Sequence, residues 1–192
     1  PLLLFPLFCR AIAQHYPGLD ETTLDTGLKI AVTSQYVPPQ IRRILTGVSQ
    51  EEKQTAIDFV KKYAQTKTTD IDGPTVMEEL KAKSPQLYRR STAIARYMRD
   101  RYDHLRPTTR QYLEKLGERT LARRASFDNT LSQDIYVPRR DAQVMSELIT
   151  ELSRMSPGVK ADLRRQFPEP MKLIDSPFID TAKFMLRSIA RK

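Results

Sequence analysis

Apolar residues along this chain recur at spacings of three and four, and Pro or Ser stands at the start of most such runs. That period matches one face of a helix, and no segment alternates apolar and polar residues as a half-buried strand would. Residues 22–32 carry a weak helical pattern. Pro38-Pro39 opens a short helical piece through Ile41, Ile44 and Leu45, where proline is tolerated because first-turn amides have no partner to lose. Ser49-Gln50-Glu51-Glu52 has the form of a capping box, in which the Ser49 hydroxyl accepts from the amide three residues on and the Glu52 carboxylate reaches back. A helix is predicted from there to about Gln65, with Ala56, Ile57, Val60, Tyr63 and Ala64 on one face and Phe59 widening it.

Residues 66–73 read as a polar loop, after which Pro74 starts a short helix through Val76, Met77 and Leu80. Ser84-Pro85 restarts the chain as cap and first helical residue. Leu87, Ser91, Ile94, Ala95, Met98, Tyr102 and Leu105 then trace one face over about five turns. Pro107 opens the next long helix, with Tyr112, Leu113, Leu116, Thr120 and Leu121 inward, and the tight turn at Leu105-Arg106 implies an antiparallel pair. Periodicity fades between Ser126 and Val137. Pro138 begins a helix carrying Val144, Met145, Leu148, Ile149, Leu152 and Met155. Ser156-Pro157 and Ser176-Pro177 repeat the cap-plus-proline device for two further helices, the last with Phe178, Ala182, Met185, Leu186 and Ile189 on one side. The pattern predicts an all-α chain, and the absence of a fixed-period repeat argues against a solenoid.

At 192 residues the chain fits one compact domain with a real core. The absence of Trp and the presence of only 6 Gly favour helices. Charge sharpens the picture: 32 Lys and Arg against 23 Asp and Glu leave a net +9, which favours anionic partners. Nucleic acid, anionic lipid and a carboxylate ligand all answer to such a field. The N-terminus separates them, because Leu2 to Cys9 is apolar apart from Pro6 and is followed by Arg10 and Ala11-Ile12-Ala13, the small-x-small pattern of a signal-peptidase site. Residues 1–13 are therefore expected to be the tail of a secretory signal cleaved after Ala13, with 14–192 the mature helical domain. The alternative is a buried N-terminal strand or helix; the run is too short to span a bilayer. Cleavage removes Cys9, the only cysteine, so disulfide frameworks, zinc ribbons and thiol enzymes are excluded from the mature chain.

Candidate chemistry is sparse. Catalysis needs a nucleophile with a base or clustered metal ligands, and the two histidines, His15 and His104, have neither triad nor metal spacing. Acidic residues alternate with Lys and Arg as on solvated helix faces, and no Gly-rich phosphate loop is present. No enzyme, metal or cofactor is expected. The stretch from Ser84 to Ser126 holds eleven Lys and Arg against Asp100, Asp103, Glu114 and Glu118. Such a basic hairpin reads as a solvated surface, a docking face for anionic membrane, or a nucleic-acid groove. Ser49, beside Glu51 and Glu52, also resembles an acidic-directed kinase site, although capping already accounts for it, and Ser126 after Arg123-Arg124 resembles a basophilic one.

Several segments, taken in order, carry a resemblance. Leu45-Thr46 leads into Ser49-Gln50-Glu51-Glu52-Lys53; Leu80-Lys81-Ala82-Lys83-Ser84-Pro85-Gln86-Leu87-Tyr88 follows, then Leu105-Arg106-Pro107. Met155-Ser156-Pro157-Gly158-Val159-Lys160-Ala161-Asp162-Leu163 and Phe167-Pro168 complete the series. In this order they resemble the nematode fatty acid- and retinol-binding protein family, over most of the mature sequence. The segments at 15–37 and 126–137 fit that pattern poorly. The resemblance implies a secreted, helical carrier holding fatty acids or retinol in an internal apolar cavity among long antiparallel helices. Inward residues then become candidates for its lining: Ile57, Val60, Leu87, Ile94, Met98, Leu113, Leu116, Val144, Leu148, Leu152, Phe178 and Met185. Plain core packing is the competing account of each. Met98, Met145, Met155 and Met185 suit ligands of varied shape because thioethers repack easily. Arg99, Arg106 and Tyr88 are candidates to meet a carboxylate at the mouth, and the basic hairpin would face anionic membrane. The alternative is a basic helical module that binds nucleic acid or protein, which secretion disfavours.

Overall fold

The computed structural model describes the backbone of residues 20–64, 72–128 and 138–191. The expected leader at 1–13 lies outside the described residues, among which there are ten α-helices and no strand. The chain groups into two compact units, the second beginning at Arg101.

The first unit contains α1 (Glu21–Thr33), α2 (Pro39–Leu45), α3 (Gln50–Ala64), α4 (Gly73–Lys83) and most of α5 (Pro85–Asp103). Its helix starts are set by side chains that satisfy first-turn amides. Asp20 accepts from the Thr23 amide at 2.8 Å, and Asp72 accepts from the Thr75 amide at 3.1 Å and its hydroxyl at 2.6 Å. The capping box forms as the sequence predicts: the Glu52 amide donates to the Ser49 hydroxyl at 3.2 Å, and the Ser49 amide donates to Glu52 Oε2 at 2.7 Å. Ser84 likewise caps α5, accepting from the Leu87 amide at 3.3 Å. Beyond the end of α2, Gly47 sits at φ +69°, a left-handed position that favours glycine. Helix α1 lies against α2 and α3 with no fully buried residue, as its weak pattern suggests, and the Lys53–Asp25 ion pair at 2.6 Å ties it to α3. The core of the unit is carried by α3 and α4, where Ile57, Phe59, Val60, Tyr63, Val76 and Leu80 are buried.

The second unit contains α6 (Pro107–Asp128), α7 (Pro138–Ser153), α8 (Pro157–Gln166), α9 (Pro168–Ile174) and α10 (Phe178–Arg191). Here α7 and α10 lie along one another more extensively than any other described pair, while α6 meets α7 and α8. Leu105, Met155, Leu163 and Met171 are buried together, with Tyr102, Tyr112, Leu113, Leu152, Val159, Phe167 and Ile174 packed around them. The Tyr112 hydroxyl donates to the Glu151 carbonyl at 3.0 Å, fixing α6 on α7. The Tyr102 hydroxyl donates to Glu114 at 2.7 Å, bracing the turn into α6.

The structure departs from the sequence pattern in two places. Residues 168–174 form a helix of their own, because Pro168 takes its first position and the Phe167 backbone leaves the helical region. Ser176 does not cap α10: its hydroxyl donates instead to the Leu173 carbonyl at 2.7 Å, closing the end of α9. Ser156 does act as expected, accepting from the Val159 amide at 3.4 Å.

Candidate functional site

On α3, Phe59 and Tyr63 stand one turn apart with ring centroids 5.9 Å from each other, and on α4 Val76 and Leu80 do the same. These four side chains meet, and Met77, Leu87 and Tyr88 pack onto them. The rim of this apolar cluster is cationic. Lys62 Nζ lies 5.2 Å from the Tyr63 ring centroid, Lys83 Nζ 5.4 Å from that of Phe59, and Lys81 Nζ 5.8 Å from that of Tyr88. Glu79 gathers two of these lysines, accepting from Lys62 at 2.6 Å and lying 3.3 Å from Lys83, and also accepts from the Tyr63 hydroxyl at 2.7 Å. The bonds from Lys62 and Tyr63 hold the Glu79 carboxyl down at about 2, while burial and Glu79 push the Tyr63 hydroxyl up. The cluster is packed core, its four central side chains no more than 9% exposed, with ammonium groups at its rim. Glu79 engages Lys62 and Lys83 of this rim, while Lys81 stands over Tyr88.

The edge of the first unit is pinned by one guanidinium. Arg90, on α5, donates from Nε to Glu52 Oε1 at 2.8 Å, from Nη1 to the carbonyls of Ile44 and, at 3.0 Å, Thr46, and from Nη2 to that of Gly47 at 2.9 Å. Those carbonyls end α2 and have no helical partner, so a cation there meets both the hydrogen-bonding need and the helix dipole. Burial pushes the Glu52 carboxyl up, but the Ser49 amide and Arg90 outweigh it and the group sits below the usual glutamate value.

In the second unit the corresponding role falls to Asp162, on α8, whose side chain is fully buried. It accepts from the Arg106 amide at 2.8 Å and from Arg165 Nη2 at 2.6 Å, and the Thr109 hydroxyl bonds to it as well. Asp162 thus caps the start of α6 from a different helix. Burial pushes its carboxyl up, and the Arg106 amide, Thr109 and the two arginine charges bring it below the ordinary aspartate value. Nearby, Arg164 grips Asp175 with two bonds of 2.8 and 3.0 Å. An open depression of about 400 Å³ lies beyond, lined by Lys160, Asp175, Ser176, Asp180 and Lys183 among others. Its lining mixes these charged and polar groups with the apolar Ile174, Pro177 and Ile179.

Of the cavity-lining candidates in the first unit, Ile57 and Val60 are buried, Leu87 and Ile94 are half-buried, and Met98 is 43% exposed. In the second, Leu116 is buried, while Leu113, Leu148 and Leu152 are half-buried. Phe178 and Met185 are 61% and 58% exposed, so both point outward. The apolar stripe of α10 is wider than the arc its neighbours cover, and these two fall on its outer side. The Val144 side chain lies outside the described residues. Among the carboxylate candidates, Tyr88 borders the Phe59 cluster, whereas Arg99 and Arg106 are exposed, the latter using its amide to meet Asp162. Ser49 is exposed and engaged in its cap. Within the basic stretch Arg90 pairs with Glu52, and the largely exposed Arg119 with Glu151 at 3.3 Å. Sequence reasoning placed Glu52 correctly but missed Arg90, and it missed the role of Asp162. Their partners lie 38 and 56 residues away, beyond any local spacing rule.

Among the described residues no group of three His, Cys, Asp or Glu is arranged to hold a metal, and no helix is long and apolar enough to cross a membrane. Comparison with known families matches residues 34–186 to "Nematode fatty acid retinoid binding protein (Gp-FAR-1)". Curated relatives include the "Fatty-acid and retinol-binding protein 1" of Loa loa, 21% identical over 142 residues that cover 74% of this chain and 75% of the relative. Those of Wuchereria bancrofti and Brugia pahangi are 21% and 20% identical over 140 residues, each match covering 73% of this chain and 74% of the relative. No solved structure matches. The all-helical architecture, the capped starts at Ser49, Ser84 and Ser156, and a match over most of the chain lead to one assignment: the chain belongs to the nematode fatty acid retinoid binding protein family.

Proposed function

We propose that this chain is a secreted carrier that takes fatty acids and retinoids out of water into an apolar interior, and that it performs no covalent chemistry. The observation that carries this reading is the family match over residues 34–186, together with relatives whose names state both ligand classes. The leader-like pattern at 1–13 supports secretion. Physically, burying about sixteen methylenes at ~0.8 kcal/mol each supplies a gross term of about 13 kcal/mol. Ordering the ligand reduces this, which leaves binding in the micromolar to nanomolar range.

Within the first unit, Lys62, Lys81 and Lys83 offer cations for a carboxylate, and an acyl chain entering beside them would part the Phe59, Tyr63, Val76 and Leu80 side chains that pack on one another. A bound carboxylate would compete with Glu79 for Lys62 and Lys83. Retinol has a neutral head and would rely on apolar contact alone. The nucleic-acid alternative rests on net charge and nothing else in the chain.

Titration with a fluorescent fatty acid whose emission shifts in apolar surroundings tests the reading, followed by displacement with oleate and with retinol. Saturable, displaceable binding is expected at micromolar concentration or below. A folded, helical sample that produces no emission shift would remove the carrier reading.

A further inference from the structure

Helix α10 separates apolar from polar positions more sharply than any other described helix of eight or more residues. Ile179, Ala182, Lys183 and Leu186 are half-buried and form the arc turned toward its neighbours α7 and α9. Beside that arc, Thr181 stands three residues from both Phe178 and Phe184 and four from Met185, so the four share an outward side. Phe178 is 61% exposed, Phe184 75% and Met185 58%. These are the largest exposed apolar side chains of the second unit. The neighbouring helices α7 and α9 leave them largely exposed.

At ~200 Å² per side chain these three residues present about 400 Å² of apolar surface. A stable protein dimer needs about 800 Å² on each partner, so a second copy seated here would be undersized. A lipid surface has no such threshold, because the headgroup boundary accepts individual apolar side chains from an amphipathic helix. Charge points the same way. By sequence α10 holds Lys183, Arg187 and Arg191 against Asp180 alone, in a chain of net charge +9, and Lys183 itself pairs with Asp180 at 3.4 Å. Exposed Phe and Met on a helix rich in Lys and Arg is the composition of an interfacial helix.

We propose that α10 docks the chain on anionic lipid surfaces, with Phe178, Phe184 and Met185 entering the headgroup boundary and the chain's excess of Lys and Arg favouring acidic headgroups. The proposal deepens the carrier reading, since such a contact is where a poorly soluble ligand is collected or released. It locates membrane contact on a helix outside the basic stretch from Ser84 to Ser126.

The test is flotation of the full chain with phosphatidylcholine vesicles, with and without phosphatidylserine, for the native sequence and for Phe184→Ser/Met185→Ser. Both substituted positions are largely exposed, so circular dichroism should be unchanged. The native chain should float with the acidic vesicles and much less with neutral ones, and the double substitution should lower partitioning by about tenfold. Should the double variant fail to fold, Cys9→Ser/Phe184→Cys carrying an environment-sensitive dye replaces it, with a blue shift expected on acidic vesicles. Equal flotation of native and variant chains, no flotation of the native chain, or no dye shift each overturns the proposal. So does a concentration-dependent dimer that the double substitution abolishes while flotation persists. A fluorescent fatty acid titration without vesicles runs alongside: native and variant chains should bind alike. Loss of vesicle binding with retained ligand binding supports docking through α10. If neither chain binds the probe and flotation still depends on Phe184 and Met185, docking stands and the carrier reading falls.

Discussion

Replacing Asp162 should destabilise the second unit more than replacing any exposed acidic residue. Its carboxylate is fully buried and serves the Arg106 amide, Arg165 and Thr109, itself only 1% exposed. In Asp162→Ala the Arg106 amide and the Thr109 hydroxyl lose their acceptor. A hydrogen bond to a charged group contributes about 1.5–3 kcal/mol, and a buried donor left without a partner costs about 1–3 kcal/mol. The anion at the start of α6 adds roughly 0.3–1 kcal/mol through the helix dipole. These terms overlap, and the net loss is expected near 3 kcal/mol. Asp162→Asn keeps an acceptor oxygen but loses the charge, so it should cost about 1–2 kcal/mol. Urea unfolding followed by far-ultraviolet circular dichroism measures both. The pH dependence gives a second reading: because the folded carboxyl lies below its ordinary value of 3.8, its contribution is complete above that value and is lost as pH falls through the folded one. A loss below about 1 kcal/mol for Asp162→Ala, or an Asn variant weaker than the Ala variant, would refute the capping argument.

Arg90→Ala should cost about 2–4 kcal/mol by leaving Glu52 and the last carbonyls of α2 without their cation, and Arg90→Lys should recover less than half, because one ammonium cannot span four acceptors. Glu79→Gln should lower stability at neutral pH; with the native carboxyl at about 2, the gap between the two chains should hold above its ordinary 4.5 and close as pH falls toward 2, as acid titration of unfolding will show. Leu80→Ala, at a residue 2% exposed, should cost about 2–5 kcal/mol in the same unfolding assay, whereas truncation of Phe184 at 75% exposure should change stability by less than about 0.5 kcal/mol.

Helix starts were the most legible part of the chain, because each is written locally. Ser49 with Glu52, Ser84 before Pro85 and Ser156 before Pro157 all cap as their spacing implies. Ser176 has the same signature and behaves otherwise: a helix already ends at Ile174, and its last carbonyls compete for the hydroxyl. Burial was legible where a helix has one wet side, as at Ile57 and Leu116, and misleading on α10, where an apolar residue and an inward one are different things. Periodicity shows that Phe178 and Met185 share a side with Leu186 but not how far the neighbouring helices reach around it. Arg90 and Asp162 were illegible as staples because each acts on a segment distant in sequence. Arg90 read as one more cation of a basic stretch, although its guanidinium is turned into the fold.

The two staples also divide the timing of folding. Glu52 to Arg90 closes 38 residues and Arg106 to Asp162 closes 56, and by loop entropy the longer closure is harder by only about 0.3 kcal/mol. Single helices relax in about a microsecond or less, far sooner than such distant segments come to rest against one another. Both clasps therefore fasten after their helices exist, and we expect them to close on the native side of the rate-limiting barrier. Weakening either should leave the refolding rate nearly unchanged and shorten the lifetime of the folded chain.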